Sequence, residues 1–213
     1  MERSHRSSGG AGSEQLQRIF DVIGSLAGLI LLSPLLLILV VAIVMFDGRP
    51  VLYQATRVGR GGRLFSLYKF RTMNPNADLR GGGITVRDDV RITRVGAILR
   101  RFKLDEFPQL LNVAKGDMSL VGPRPEDPRY VALYTPEQRN VLRVRPGITS
   151  LASLKFKDES ELLRGADWEE KYIGEIMPGK LAMEAEYIQH RTVLKDVKII
   201  VRTLGGVIQC RSG

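Results

Sequence analysis

The sequence predicts an α/β protein, mostly helical, that is seated in a membrane, and three observations carry that prediction. From Val22 to Phe46 no residue is charged, a run long enough to cross the roughly 30 Å hydrocarbon layer of a bilayer as a helix. Two short segments, Val51 to Ala55 and Leu64 to Phe70, flank the turn-rich Gly59-Arg60-Gly61-Gly62 and read as a small β-hairpin. Beyond them apolar residues recur at helical spacing, first at Ile92, Val95, Ile98, Leu99 and Phe102. They recur again at Val193, Leu194, Val197, Ile200, Val201, Leu204 and Ile208.

The chain of 213 residues fits one domain with appendages. Lys and Arg number 32 against 23 acidic residues, a net charge of +9, which calls for anionic partners such as nucleic acid, phospholipid headgroups or nucleotide phosphates. The only cysteine, Cys210, excludes an internal disulfide, and with two histidines, His5 and His190, a histidine-rich zinc site is disfavoured. The sequence holds no P-loop, no G-x-S-x-G and no internal repeat.

Residues 1–16 are rich in Ser, Gly and Arg and are expected to form a disordered tail. Residues 17–47 form the membrane segment, too long and without the cleavage motif of a signal peptide, and therefore expected to be retained. In its middle, Pro34 removes the hydrogen bond to the Ile30 carbonyl, and Ser33 stands ready to satisfy a freed backbone group. Each half has about a dozen residues, roughly 17 Å of helix, too short to cross alone. Two geometries follow: a kinked span, or a helix-break-helix that enters and leaves on one side. Arg3, Arg6 and Arg18 before the segment and Arg49, Arg57, Arg60 and Arg63 after it favour the second.

In the second strand Lys69 and Arg71 alternate with Phe70 and so share a face. They either pair with phosphate or decorate the solvent side. Asn74 to Asp89, with Gly81 to Gly83, reads as a mobile loop. The central stretch is Leu104-Asp105-Glu106-Phe107-Pro108-Gln109-Leu110-Leu111-Asn112. A proline is tolerated in the first turn of a helix, so Asp105 and Glu106 are expected at a helix N-terminus, with the helix ending near Gly116. Two carboxylates, a helix end and the guanidinium groups of Arg100 and Arg101 could together hold a metal ion and a phosphate. The alternative is a capped helix with ordinary ion pairs.

Arg124 stands between Pro123 and Pro125, which restrict its backbone, and a fixed guanidinium fork suits phosphate or carboxylate. Arg143-Val144-Arg145-Pro146-Gly147-Ile148-Thr149 repeats the theme and could bring further cations to the same anion. Trp168 and Tyr172, four residues apart, read as helix packing. The last helix, with Arg191, Lys195, Lys198 and Arg202 mostly off its apolar stripe, either lies on an anionic membrane or packs on the core.

Taken in order, Ser33-Pro34, Lys69-Phe70-Arg71-Thr72-Met73, Leu104 to Asn112, Lys115-Gly116-Asp117-Met118-Ser119-Leu120-Val121-Gly122-Pro123-Arg124-Pro125 and Arg145-Pro146-Gly147-Ile148-Thr149 closely resemble the bacterial sugar transferases known as monotopic polyprenyl-phosphate phosphoglycosyl transferases. The likeness runs from about Gln17 to Leu204 and is to the small, catalytic-domain-only type. It implies a re-entrant hairpin broken at Ser33 and Pro34, a cytosolic catalytic domain over residues 48–213 and amphipathic interfacial helices. It places the protein on the cytoplasmic face of the bacterial inner membrane.

The implied reaction moves a phospho-sugar from a UDP-sugar to polyprenyl phosphate, initiating glycan or exopolysaccharide assembly. In the family the first carboxylate attacks the sugar-bearing phosphate and becomes covalently modified, a role that falls on Asp105. Glu106 would help Asp105 hold Mg²⁺, and Lys69, Arg71, Arg100, Arg124 and Arg145 are the candidate phosphate-binding cations. Self-association is left open. A membrane-anchored scaffold, a nucleic-acid binder and a phosphatase with water as acceptor are the rivals. The nucleic-acid reading is weakened by the membrane segment and the lack of an aromatic-basic recognition motif.

Overall fold

The computed structural model describes residues 9–75, 77, 89–156, 163 and 167–209. The first eight residues of the expected tail, residues 78–88 of the expected loop with Gly81 to Gly83, and Cys210 lie outside the described residues.

Helix α1, Gly9–Phe46, begins ahead of Gln17 and takes in the end of the expected tail. Pro34 lies inside it. The Ile30 carbonyl, freed because proline has no N–H, accepts the Ser33 hydroxyl at 2.7 Å. In place of the expected interruption the chain therefore stays helical through Pro34, because the neighbouring hydroxyl covers the group that proline exposes. Among the described residues α1 is the one helix long and apolar enough to cross a membrane, and Ile30, Leu31, Leu37, Ile38, Met45 and Phe46 are exposed along it.

Both flanks of α1 pack on the rest of the chain. On the N-terminal side Arg18 donates to the carbonyls of Val113 and Ala114 at 2.7 and 2.9 Å. On the C-terminal side Ile43 is fully buried with Phe70 and Leu99, and Thr93 donates to Asp47 Oδ2 at 2.7 Å.

Strands β1, Leu52–Val58, and β2, Leu64–Phe70, form the expected antiparallel hairpin, with Ala55 opposite Leu67. Those two residues share a core with Val113 and Met118. Helix α2, Arg94–Arg101, is capped by Thr93, whose Oγ1 accepts the Gly96 N–H at 2.9 Å. A 3₁₀ turn, Leu104–Glu106, leads to α3, Gln109–Lys115, which stops at Gly116 with φ of 99°.

Strands β3, Ser119–Val121, and β4, Gly147–Thr149, pair in parallel. A side chain on Gly147 would strike the backbone of Gly122, so only glycine admits this approach. Further helices among the described residues include α4, Pro128–Val131, and α5, Leu151–Lys155, then α6, Trp168–Lys171, which runs through a π-helical turn into α7, Met177–Gln189. Tyr130, Tyr134, Val141, Tyr172, Met177 and Leu181 make the largest core. The rings of Tyr130 and Tyr172 meet edge-on at 5.0 Å, and Trp168 packs against the same cluster, as its spacing from Tyr172 predicts.

The last helix, α8, Val193–Gln209, packs one face on the core. Ile199 packs with Val121 and Tyr187. Leu194, Val197, Val201 and Leu204 form a second stripe that is exposed, next to exposed Lys195, Lys198 and Arg202.

Candidate active site

Asp105 and Glu106 sit in the 3₁₀ turn ahead of α3, with Pro108 at the N-cap position of that helix. The preceding residue pair turns sharply: Lys103 has φ of 53°, the one positive φ at a non-glycine among the described residues. A lysine held there costs on the order of 1 kcal/mol, and the turn it makes directs Asp105 inward, where it is buried.

The turn is held from below by Asn112, the last residue of the same motif, which is wholly buried. Its Oδ1 accepts the Tyr68 N–H at 3.0 Å and its Nδ2 donates to the Ser66 carbonyl at 2.8 Å. It thereby occupies the free edge of β2 and fixes α3 against the strand that carries Lys69.

Lys69 Nζ and Arg124 Nη2 converge on one oxygen of Glu106, Oε1, at 3.1 and 3.0 Å. Burial would raise the Glu106 carboxyl, but Arg124 and Lys69 outweigh it and hold the group well below the usual carboxylate range. Asp105 is the opposite case. Burial pushes its carboxyl above the ordinary aspartate value, with Glu106 adding to the effect and Lys69, Arg100 and Arg124 acting against it. Among the described residues no hydrogen bond reaches the Asp105 carboxylate, so it is buried, ringed by cations and unengaged. Arg100 is anchored by its Nε, which donates to Thr72 Oγ1 at 2.8 Å. Burial lowers its pKa while the nearby Asp105 favours its charge.

The structure thus brings Lys69, Arg100 and Arg124 to Asp105 and Glu106, and it sends two expected phosphate ligands elsewhere. Arg71 is buried, and its terminal nitrogens donate to the carbonyls of Asp47, Gly48 and Arg49 at 2.5, 2.7 and 2.8 Å. β2 ends at Phe70, so the strand alternation that placed Arg71 beside Lys69 no longer applies. Its guanidinium instead meets the electronegative end of α1. Arg145 lies at the other end of α3 from Asp105, donating to the Gly116 carbonyl at 3.0 Å and pairing with Glu14 at 3.7 Å. The parallel pairing of β3 with β4 carries it there. Arg101 lies over the Phe102 ring at 5.7 Å.

Two adjacent carboxylates with no thiol or imidazole beside them match a small, hard dication. Mg²⁺ takes one or two carboxylates and completes its shell with phosphate and water. Among the described residues no third acidic, histidine or cysteine side chain joins the pair, so most of such a shell would fall to water and to a bound anion.

Nothing local in the sequence marks Asn112 and Thr72 as site-building residues, although both stand inside its motifs. Their partners lie 44 and 28 residues away, and no local periodicity signals a contact at that separation.

Residues 12–210 match the family described as Bacterial sugar transferase. The chain is 35% identical over 193 residues to the uncharacterized sugar transferase EpsL of Bacillus subtilis, covering 91% of this chain and 87% of the relative. It is 38% identical over 195 residues to a UDP-glucose:undecaprenyl-phosphate glucose-1-phosphate transferase of Caulobacter vibrioides, covering 90% and 69%. It is 38% identical over 197 residues to the exopolysaccharide production protein PSS of Rhizobium leguminosarum, covering 89% and 93%. With a match over nearly its whole length, and a buried Asp105 and partly buried Glu106 ringed by cations beside an apolar helix, the chain belongs to the bacterial sugar transferase family.

Proposed function

We propose that the protein moves a phospho-sugar from a UDP-sugar to polyprenyl phosphate in two displacements at Asp105. The observation that carries this reading is a buried, unengaged aspartate flanked by three cations next to a carboxylate that two of them hold ionised. Oδ of Asp105 attacks the sugar-bearing phosphorus. The bond from that phosphorus to the bridging oxygen breaks, and UMP leaves with the electron pair. An oxygen of polyprenyl phosphate then attacks the same phosphorus, the aspartyl bond breaks, and the free carboxylate returns. Lys69, Arg100 and Arg124 offset the charge that a carboxylate meets when it approaches a diphosphate. Asp105 and Glu106 would hold Mg²⁺, which when bound supplies further neutralisation of the phosphate oxygens.

The membrane geometry we propose is a re-entrant one on the cytoplasmic side. Its support is that both flanks of α1, through Arg18 and through Asp47, bond to the same domain. The exposed stripe of α8 with its lysines and arginine suits an anionic lipid surface at the same level. A shallow seat would keep Asp105 near the headgroups, where a lipid phosphate lies.

The test is intact-protein mass spectrometry of detergent-solubilised protein with Mg²⁺ and a panel of UDP-sugars, without acceptor. An adduct of one phospho-sugar on the wild type and none on Asp105→Asn is expected, with adduct loss on adding polyprenyl phosphate. Transfer that persists in Asp105→Asn would overturn the covalent route.

A further inference from the structure

We propose that Thr72 is a positioning residue for this transfer: its hydroxyl fixes the Arg100 guanidinium so that the terminal nitrogens are presented to Asp105 and the phosphate reacting there. The inference rests on the function proposed above. It begins with the way α2 meets the segment after β2. The Thr93 N–H donates to the Thr72 carbonyl at 3.0 Å, and one turn in, Gly96 lies so close that a Cβ there would stand 2.1 Å from the same oxygen. Only glycine lets α2 close to that distance.

Residues four apart on a helix share a face, so the approach that Gly96 permits brings Arg100 over Thr72. There Nε donates to Oγ1 at 2.8 Å. Thr72 is buried, so water offers little replacement for that bond. A guanidinium held by its Nε is pinned at the root of its fork. Its two terminal nitrogens then point away from the anchor together, the arrangement that a phosphate requires.

The anchor has a base of its own. Thr93, which caps α2, donates to Asp47 at 2.7 Å, and Arg71 beside Thr72 clamps the carbonyls that follow α1. The end of the apolar helix, the segment holding Thr72 and the helix carrying Arg100 therefore form one bonded unit.

Thr72→Val keeps the shape and removes only the acceptor; Thr72→Ser keeps the acceptor. With a UDP-sugar and polyprenyl phosphate as substrates, Thr72→Val should lower kcat about tenfold or more, and Thr72→Ser should restore most of it. In an Arg100→Ala background Thr72→Val should cost nothing further, since the group it positions is gone. The same tenfold loss in that background, or an equal loss in Thr72→Ser, would overturn the proposal.

A second readout does not need turnover. In protein labelled with ¹⁵N-arginine, a slowly exchanging Nε–H that vanishes in Arg100→Lys should also vanish in Thr72→Val and persist in Thr72→Ser. Its persistence in Thr72→Val would show that Thr72 is not the anchor. If the wild type transfers nothing from any UDP-sugar while this signal behaves as expected, the proposed reaction is wrong and the anchoring of Arg100 stands on its own.

Discussion

Ser119 donates its hydroxyl to Asp21 Oδ2 at 2.6 Å, joining the apolar helix to β3 across 98 residues of chain. Asp21 Oδ1 accepts the Leu120 N–H at 2.9 Å, and Arg191 donates to the same Ser119 oxygen at 2.8 Å. The Ser119 hydroxyl and the Leu120 N–H both lose their partner if Asp21 is removed. Asp21→Ala should therefore cost about 2–3 kcal/mol and lower Tm in detergent by about 5–10 °C. A shift under about 1 °C would mean that α1 is seated by apolar contact alone.

Glu106 is expected to matter for chemistry more than for folding. Glu106→Gln keeps the size and leaves Lys69 and Arg124 facing a neutral amide, so turnover should drop about a hundredfold or more. Tm should stay within about 3 °C. A profile with normal turnover and a collapsed Tm would reverse that assignment.

In the proposed reaction the acid limb of the pH–rate profile should follow Asp105. It must be ionised to attack, and burial raises its pKa above 3.8, so kcat/KM should fall as pH drops through that raised value. Glu106 stays ionised across the same range. Lys69 acts against the rise, so Lys69→Met should move the limb to higher pH. A limb that stays put or moves down would break the assignment.

Arg71, next to Thr72, and Arg124, between Pro123 and Pro125, are both candidate phosphate cations by sequence, yet they should fail differently. Arg71→Met removes three bonds to the carbonyls after α1 and should lower Tm, by about 5 °C or more, in apo protein. Arg124 is 43% exposed, and Arg124→Ala should leave Tm nearly unchanged while raising KM for the UDP-sugar. Differential scanning fluorimetry beside steady-state kinetics separates the two.

Glu184 gives the fold its own pH dependence. Burial pushes it up to about 7; Oε1 accepts the Ala152 N–H at 3.2 Å and, among the described residues, Oε2 has no hydrogen-bond partner. The protonated form contributes stability that is fully present below the ordinary value of 4.5 and is lost as pH rises through about 7. The difference is on the order of 3 kcal/mol. Thermal stability should therefore decline between those pH values, and Glu184→Gln should flatten the decline. An unchanged slope in that variant would assign the effect to another group.

The hairpin, α3 with its stop at Gly116 and the apolar helix are legible in the sequence because each is written in local periodicity and turn residues. Lys69 and Arg124 are legible through motif and charge. Arg71 misleads because alternation holds only while the strand lasts, and β2 ends one residue before it. Arg145 misleads for a different reason: its position depends on the parallel pairing of Ser119–Val121 with Gly147–Thr149. Three-residue strands carry too little pattern to announce themselves. Asp21 sits at the edge of the apolar run, where it reads as a boundary, and only the fold gives it Ser119 as partner.

The hydroxyl of Ser33 and the carbonyl of Ile30 ride on the same turn of the same helix. Hydrocarbon offers no water to a loosened carbonyl, and each bare one costs several kcal/mol. Because the repair is built into that turn, it travels with the helix and needs no neighbouring protein to complete it. The segment can therefore enter a bilayer as soon as it is synthesised, before β3, α3 or α8 exists to receive it, so membrane insertion is free to precede folding.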